Sequence, residues 1–155
     1  MKLNDLLSRR LVERVEADLG KVIKSLTRAK RDLMTARATL EIDEEWAYTI
    51  AYHAMLRAGR ALMLYHQYRP AGKDQHNTVG EFGSRVLGEE YRTLVNKFQR
   101  MRRKRHRFIY EIEGVISKTE AKESIDSAKK LIEGINEIVK GKRGDLFDLS
   151  QKKPG

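Results

Sequence analysis

The chain has 155 residues, with 32 Lys plus Arg against 22 Asp plus Glu, a formal net charge of +10 and no cysteine. That length can bury one core without staples, and the missing thiols exclude a disulfide scaffold, a thiolate metal site and a cysteine nucleophile. Such a charge balance draws polyanions, chiefly nucleic acid, although Lys-, Arg- and Glu-rich surfaces also serve thermal stability.

No apolar run is long enough to span a membrane. The opening MKLNDLLSRRLVERVE carries Asp5, Glu13 and Glu16 and has no apolar signal-like core, so a soluble cytoplasmic protein without membrane contact is expected. Apolar residues recur at spacings of three and four almost throughout, and Pro70 is the only proline before Pro154. This predicts an all-α fold without a sheet, a compact up-and-down bundle of about five helices. One domain is expected over 1–144, followed by a flexible tail over 145–155.

In chain order, the first helical region covers 4–41, with a break near Gly20; Leu19, Val22, Ile23, Leu26, Leu33 and Leu40 give its apolar face. Asp43 can cap a second helix over 44–67. Along it Ala47, Ala51, Ala54, Ala58 and Ala61 form a small-residue seam. That seam admits close packing by another helix of the same chain, or by a second copy. The stretch YRPAGKDQHN reads as a loop. A short helix follows over 78–86, then Gly88, then a long helix over 89–113. Ser117 and Glu120 form a capping-box pattern at the start of the last helix, and Gly141 and Gly144 read as its stop.

The long helix carries QRMRRKRHRFIYE, residues 99–111. At 100° per residue, Tyr91, Leu94, Val95, Phe98, Met101, Phe108, Ile109 and Ile112 share one face. Arg102 and Arg105 fall inside that arc, whereas Arg100, Arg103, Lys104 and Arg107 fall outside it. The outer four suit a phosphate backbone. The inner two need a carboxylate or a polar cleft, because an unpaired charge on an apolar stripe is costly. Glu41, Asp43, Glu44, Glu45 and Glu81 are the candidate partners. Arg102, His106 and Tyr110 follow one another at one-turn spacing. Arginine can hold a phosphate, and histidine can move a proton near neutral pH. RNA supplies its own 2′-hydroxyl nucleophile, so no metal or cofactor is required. The bland alternative is a rim around a buried ion-pair network.

The segment AYHAMLRAGRALMLYHQYRPAGKDQHNTVGEF, with RRKRHRFIYE and GVISKTEAKESI after it, resembles the HEPN domain family (higher eukaryotes and prokaryotes nucleotide-binding) over roughly 29–138. The resemblance implies a helical bundle, usually a homodimer. It also implies RNA or nucleotide binding, and in many members metal-independent RNase activity as a toxin paired with a nucleotidyltransferase antitoxin. The family motif is Arg, four to six residues, then His. Arg100 and His106 fit it, but stand about 120° apart on the wheel. Alternatively Arg105 is the motif arginine and His106 its polar neighbour, with Tyr110 standing where the motif His belongs. Tyrosine is a weak base at neutral pH.

Arg105, His106, Tyr110 and Arg102 are thus the catalytic candidates. Arg100, Arg103, Lys104 and Arg107 are the nucleic-acid-binding candidates. His53 is expected in packing, and His66 and His76 flank the loop. No His-x-x-x-His pair, glycine-rich phosphate loop or nucleophile elbow occurs. Three readings stand: an RNA-acting HEPN protein, a non-catalytic module binding nucleotide, RNA or a nucleotidyltransferase, and an oligomeric structural protein.

Overall fold

The structure, a computed structural model, describes residues 3–110 and 116–151, with side chains described for 3–107 and 116–141. It is an all-α fold, and one small feature departs from the sequence expectation. The region 4–41 is not one broken helix. A short α1 (Asn4–Ser8) ends near Arg10, whose φ is 56°. The chain then extends as β1 (Val12–Arg14), antiparallel to β2 (Tyr68–Pro70). Glu13 lies opposite Arg69 and Arg14 opposite Tyr68. Glu13 and Arg69 form an ion pair at 2.6 Å, and the Arg14 guanidinium sits 5.3 Å from the Tyr68 ring centre. These cross-strand pairs hold the ribbon. Its partner strand lies far along the sequence, so no local pattern announces it.

Asp18 opens α2 (Leu19–Leu40) by accepting the Lys21 N–H at 3.0 Å. Val22, Leu26, Ala29, Leu33 and Ala36 are its buried stripe. Asp43 caps α3 (Glu44–Tyr65) as expected, accepting the Trp46 N–H at 2.9 Å. α3 is the central helix and packs on α2, α6, α4 and α5. Ala47, Ala51, Ala54, Ala58 and Ala61 are all buried inside the single chain. The seam therefore serves intramolecular packing, and the second-copy alternative for it falls away.

α4 (Gln75–Val86) starts earlier than the expected 78, after Asp74 at φ 57°. It crosses α3 closely: a Cβ on Gly59 would overlap the Val79 side chain. A 3-10 turn at Glu89–Tyr91 leads into α5 (Arg92–Tyr110). The expected Ile112 and Glu113 end of that helix lies outside the described residues. α6 (Lys118–Gln151) begins with Glu120 N–H donating to Ser117 Oγ at 3.0 Å. The capping box is only half used, because Lys104 Nζ holds the Glu120 carboxylate oxygens at 2.7 and 2.8 Å. α6 runs through Gly141 and Gly144 to Gln151. A helical glycine costs about 1 kcal/mol relative to alanine, too little to stop a helix by itself.

Candidate functional site

α5 delivers the two inner arginines to α3 and α4. Val95, Phe98 and Met101 bury its inner face, and Arg102 and Arg105 come next along the same face, both half-buried. Phe98 stacks on Tyr52 of α3, with ring centres 5.1 Å apart and planes 9° apart. The Arg105 guanidinium carbon lies 5.3 Å from the centre of the same Tyr52 ring. Tyr52 Oη is hydrogen-bonded to His76 Nδ1 of α4 at 2.8 Å. The His53 ring stands edge-on to both, 5.4 Å from Tyr52 and 6.4 Å from His76. Tyr52, His53, His76 and Arg105 are one cluster contributed by three helices.

Arg102 joins through neutral amides. Its Nε donates to Gln99 Oε1 at 2.8 Å, and Gln99 Nε2 donates to Asn77 Oδ1 at 3.1 Å. Gly80 makes room for Gln99, because a Cβ there would overlap the Gln99 amide. Of the two expected surroundings, a carboxylate or a polar cleft, the carboxylate is absent: among the described residues neither Arg102 nor Arg105 meets one. Glu41 is held by Lys118 at 3.1 Å, Asp43 caps α3, and Glu81 binds Arg85 at 2.6 Å. An aromatic face and an amide take the guanidiniums instead, at a smaller desolvation cost than a buried ion pair carries. Arg105 Nε is buried and has no hydrogen-bond acceptor among the described residues.

The electrostatics follow from burial and these cations. Burial pushes the Tyr52 phenol up to about 12, opposed by Arg105, Arg102 and Arg60. Burial first, then Arg105 and His76, bring His53 down to about 4. Burial, then Arg60, Arg105 and Arg102, also lower His76 below 6.5. Both imidazoles are neutral at pH 7, and each can offer an N–H and accept a proton.

The remaining candidates are placed as follows. His106 is exposed on α5. The side chain of Tyr110 lies outside the described residues. Arg100 and Arg103 are exposed and rim a polar groove of about 650 Å³ between α4 and α5, with Asn77, Asn96 and Gln99 along it. Arg107 is exposed. Lys104 is half-buried and bound to Glu120, so its ammonium faces α6. Tyr52, His53, His76, Asn77 and Gln99 were not among the sequence candidates. One sequence signal could have found one of them: Gln99 lies three residues before Arg102, on its helix face.

The described residues thus form an all-α domain with an arginine–histidine–tyrosine cluster beside a basic, amide-lined groove. The chain belongs to the HEPN domain family, whose model matches residues 22–138. Comparison with curated proteins and with solved structures gave no significant match. No helix among the described residues is long and apolar enough to cross a membrane.

Proposed function

We propose that this HEPN chain acts on RNA as a metal-independent endoribonuclease. In this reading Arg102 and Arg105 hold the phosphate above Tyr52, and His76 rather than His106 handles the proton. The observation that carries it is the buried Arg105 Nε–H, which has no acceptor among the described residues and lies beside the Tyr52–His76 pair. A buried donor without an acceptor costs about 1–3 kcal/mol, and a phosphate oxygen relieves that cost. The 2′-hydroxyl attacks its own phosphorus while a neutral histidine takes the hydroxyl proton. The imidazolium returns that proton to the departing 5′-oxygen, giving a 2′,3′-cyclic phosphate and a 5′-hydroxyl end. Arg105 stabilises the charge gathering on the phosphorane-like state. Arg100 and Arg103 track the strand along the α4–α5 groove.

The test is RNA cleavage by the purified chain in EDTA. Arg105→Ala and His76→Ala should each lower the rate by about 10²-fold or more. Full activity in His76→Ala removes His76 from its role. RNA binding without any cleavage favours the non-catalytic module, which would use the same arginines to hold a phosphate. The reading extends to a homodimer and to a nucleotidyltransferase antitoxin, both on the family resemblance. Sedimentation above the 18.0 kDa monomer mass checks the first.

A further inference from the structure

Arg102 is held by an oxygen that carries no charge. Its Nε donates to Gln99 Oε1 at 2.8 Å, and Gln99 Nε2 donates to Asn77 Oδ1 at 3.1 Å. The polarity of this chain is forced. A guanidinium nitrogen only donates, so the Gln99 amide must turn its oxygen to Arg102. Its nitrogen then faces α4, and Asn77 must turn an oxygen to meet it. Gly80, three residues beyond Asn77 on α4, leaves the space in which the Gln99 amide lies. With Nε taken, the two terminal nitrogens of Arg102 form no hydrogen bond or ion pair among the described residues. They are the fork with which an arginine takes two phosphate oxygens.

We propose that Gln99 is the positioning residue of Arg102: a neutral acceptor that aims the guanidinium without cancelling its charge, itself set by Asn77 and Gly80. A carboxylate at position 99 would hold Nε more tightly, but it would neutralise the cation that the phosphate meets. Asn77 follows His76 directly on α4. The amide chain therefore also registers the arginine of α5 against the histidine of α4. This inference rests on the reading, given above, that Arg102 holds a phosphate of RNA.

Two measurements on the full chain test it: single-turnover cleavage in EDTA, and affinity for a short oligouridylate across salt. Gln99→Met keeps the charge of Arg102 and loses its aim. Gly80→Ala displaces the Gln99 amide, the flexible end of a side chain, and leaves every charge in place. Both should cut about tenfold more slowly or worse, with the slope of log affinity against log salt unchanged. Gln99→Glu, nearly isosteric, keeps the aim and cancels the charge. Its slope should fall by about 0.7, one phosphate contact, as should that of Arg102→Gln. Gln99→Glu in the Arg102→Gln background should fall no further, because no guanidinium remains to be neutralised. If the two substitutions add, or if Gln99→Met and Gly80→Ala both cut at the wild-type rate, Gln99 does not act through Arg102. That overturns this inference and leaves the phosphate on Arg102. If Arg102→Gln keeps the wild-type slope and rate, Arg102 holds no phosphate, and both readings fall. A chain that binds RNA and cuts none loses the nuclease reading, and the slopes alone then decide the role of Gln99.

Discussion

Tyr52 Oη stands 2.8 Å from His76 Nδ1, beneath the Arg105 guanidinium. The bond links the central helix to the helix after the loop, and it fixes what the other imidazole nitrogen can do. When the phenol accepts from Nδ1–H, Nε2 keeps its lone pair and can take a proton. When the phenol donates, Nε2 carries the hydrogen and can donate to a phosphate oxygen. Tyr52 itself, pushed up to about 12, keeps its proton throughout.

The pH dependence of the proposed cleavage follows. His76 is lowered from 6.5 by burial and by Arg60, Arg105 and Arg102. A base with that shift is already deprotonated at neutral pH. The acidic limb of the single-turnover rate should therefore have its midpoint below 6.5. His106→Ala should leave that limb in place. A limb that vanishes with His106 and survives His76→Ala returns the proton to His106.

Stability should depend on pH through His53, whose folded value is about 4 against 6.5 for the ordinary imidazole of the unfolded chain. Between those values the unfolded chain binds the extra proton, so stability rises with pH across the window. The contribution is fully present above 6.5 and is lost as pH falls toward 4. The urea midpoint should drop between pH 7 and pH 4.5, and His53→Gln should flatten the drop. Parallel losses in both proteins would assign the effect to carboxylates instead.

Replacing Arg105 should separate function from stability. Arg105→Met removes a cation–π contact worth about 0.5–2 kcal/mol. It also removes a buried donor without an acceptor, which relieves about 1–3 kcal/mol. The variant should melt at or above the wild-type temperature while RNA binding and cleavage fall by at least about tenfold. A clear loss of melting temperature would make Arg105 a structural residue.

The fold was legible because its signals are local. Asp43 caps α3, and Val22, Leu26, Ala29 and Leu33 are buried at the spacing the sequence shows. The ribbon was not legible, because Val12 and Pro70 are joined only by tertiary pairing. Part of the candidate site was readable. The wheel puts Arg102 and Arg105 inward, and inward they are. It does not say which helix they meet. Searching for carboxylates overlooked Tyr52, whose ring face accepts a guanidinium as well. His76 looked like a loop residue because α4 starts before it, at Gln75, after a left-handed Asp74 that carries no cap bond.

The basic face should divide under salt. Arg100 and Arg103 rim the groove, whereas Lys104 is tied to Glu120. For single-stranded RNA, each phosphate that a cation no longer neutralises lowers the slope of log affinity against log salt by about 0.7. Arg100→Gln and Arg103→Gln should each show that decrease. Lys104→Gln should leave the slope unchanged and cost up to about 1 kcal/mol of stability. Equal slopes for all three variants would dissolve the distinction between the two populations.

The cluster also depends on a backbone approach remote from its chemistry. Gly59 sits where α3 and α4 cross, and a Cβ there would overlap Val79. Val79 follows His76 by one helical turn on α4, so displacing it tilts the element that presents His76 to Tyr52. Gly59→Ala gains helix propensity of about 1 kcal/mol, but overpacking a tight crossing costs about 1–3 kcal/mol. The steric cost should win, because α4 is also tied to α1 by the Arg85 bridge to Asp5 at 2.6 Å and cannot simply slide. The variant should lose stability, and any cleavage should fall further than the loss of folded protein explains. Adding Val79→Ala should restore room for the new methyl and recover both. A Gly59→Ala chain that melts higher than wild type, with its activity unchanged, would show that the crossing is looser than the structure implies.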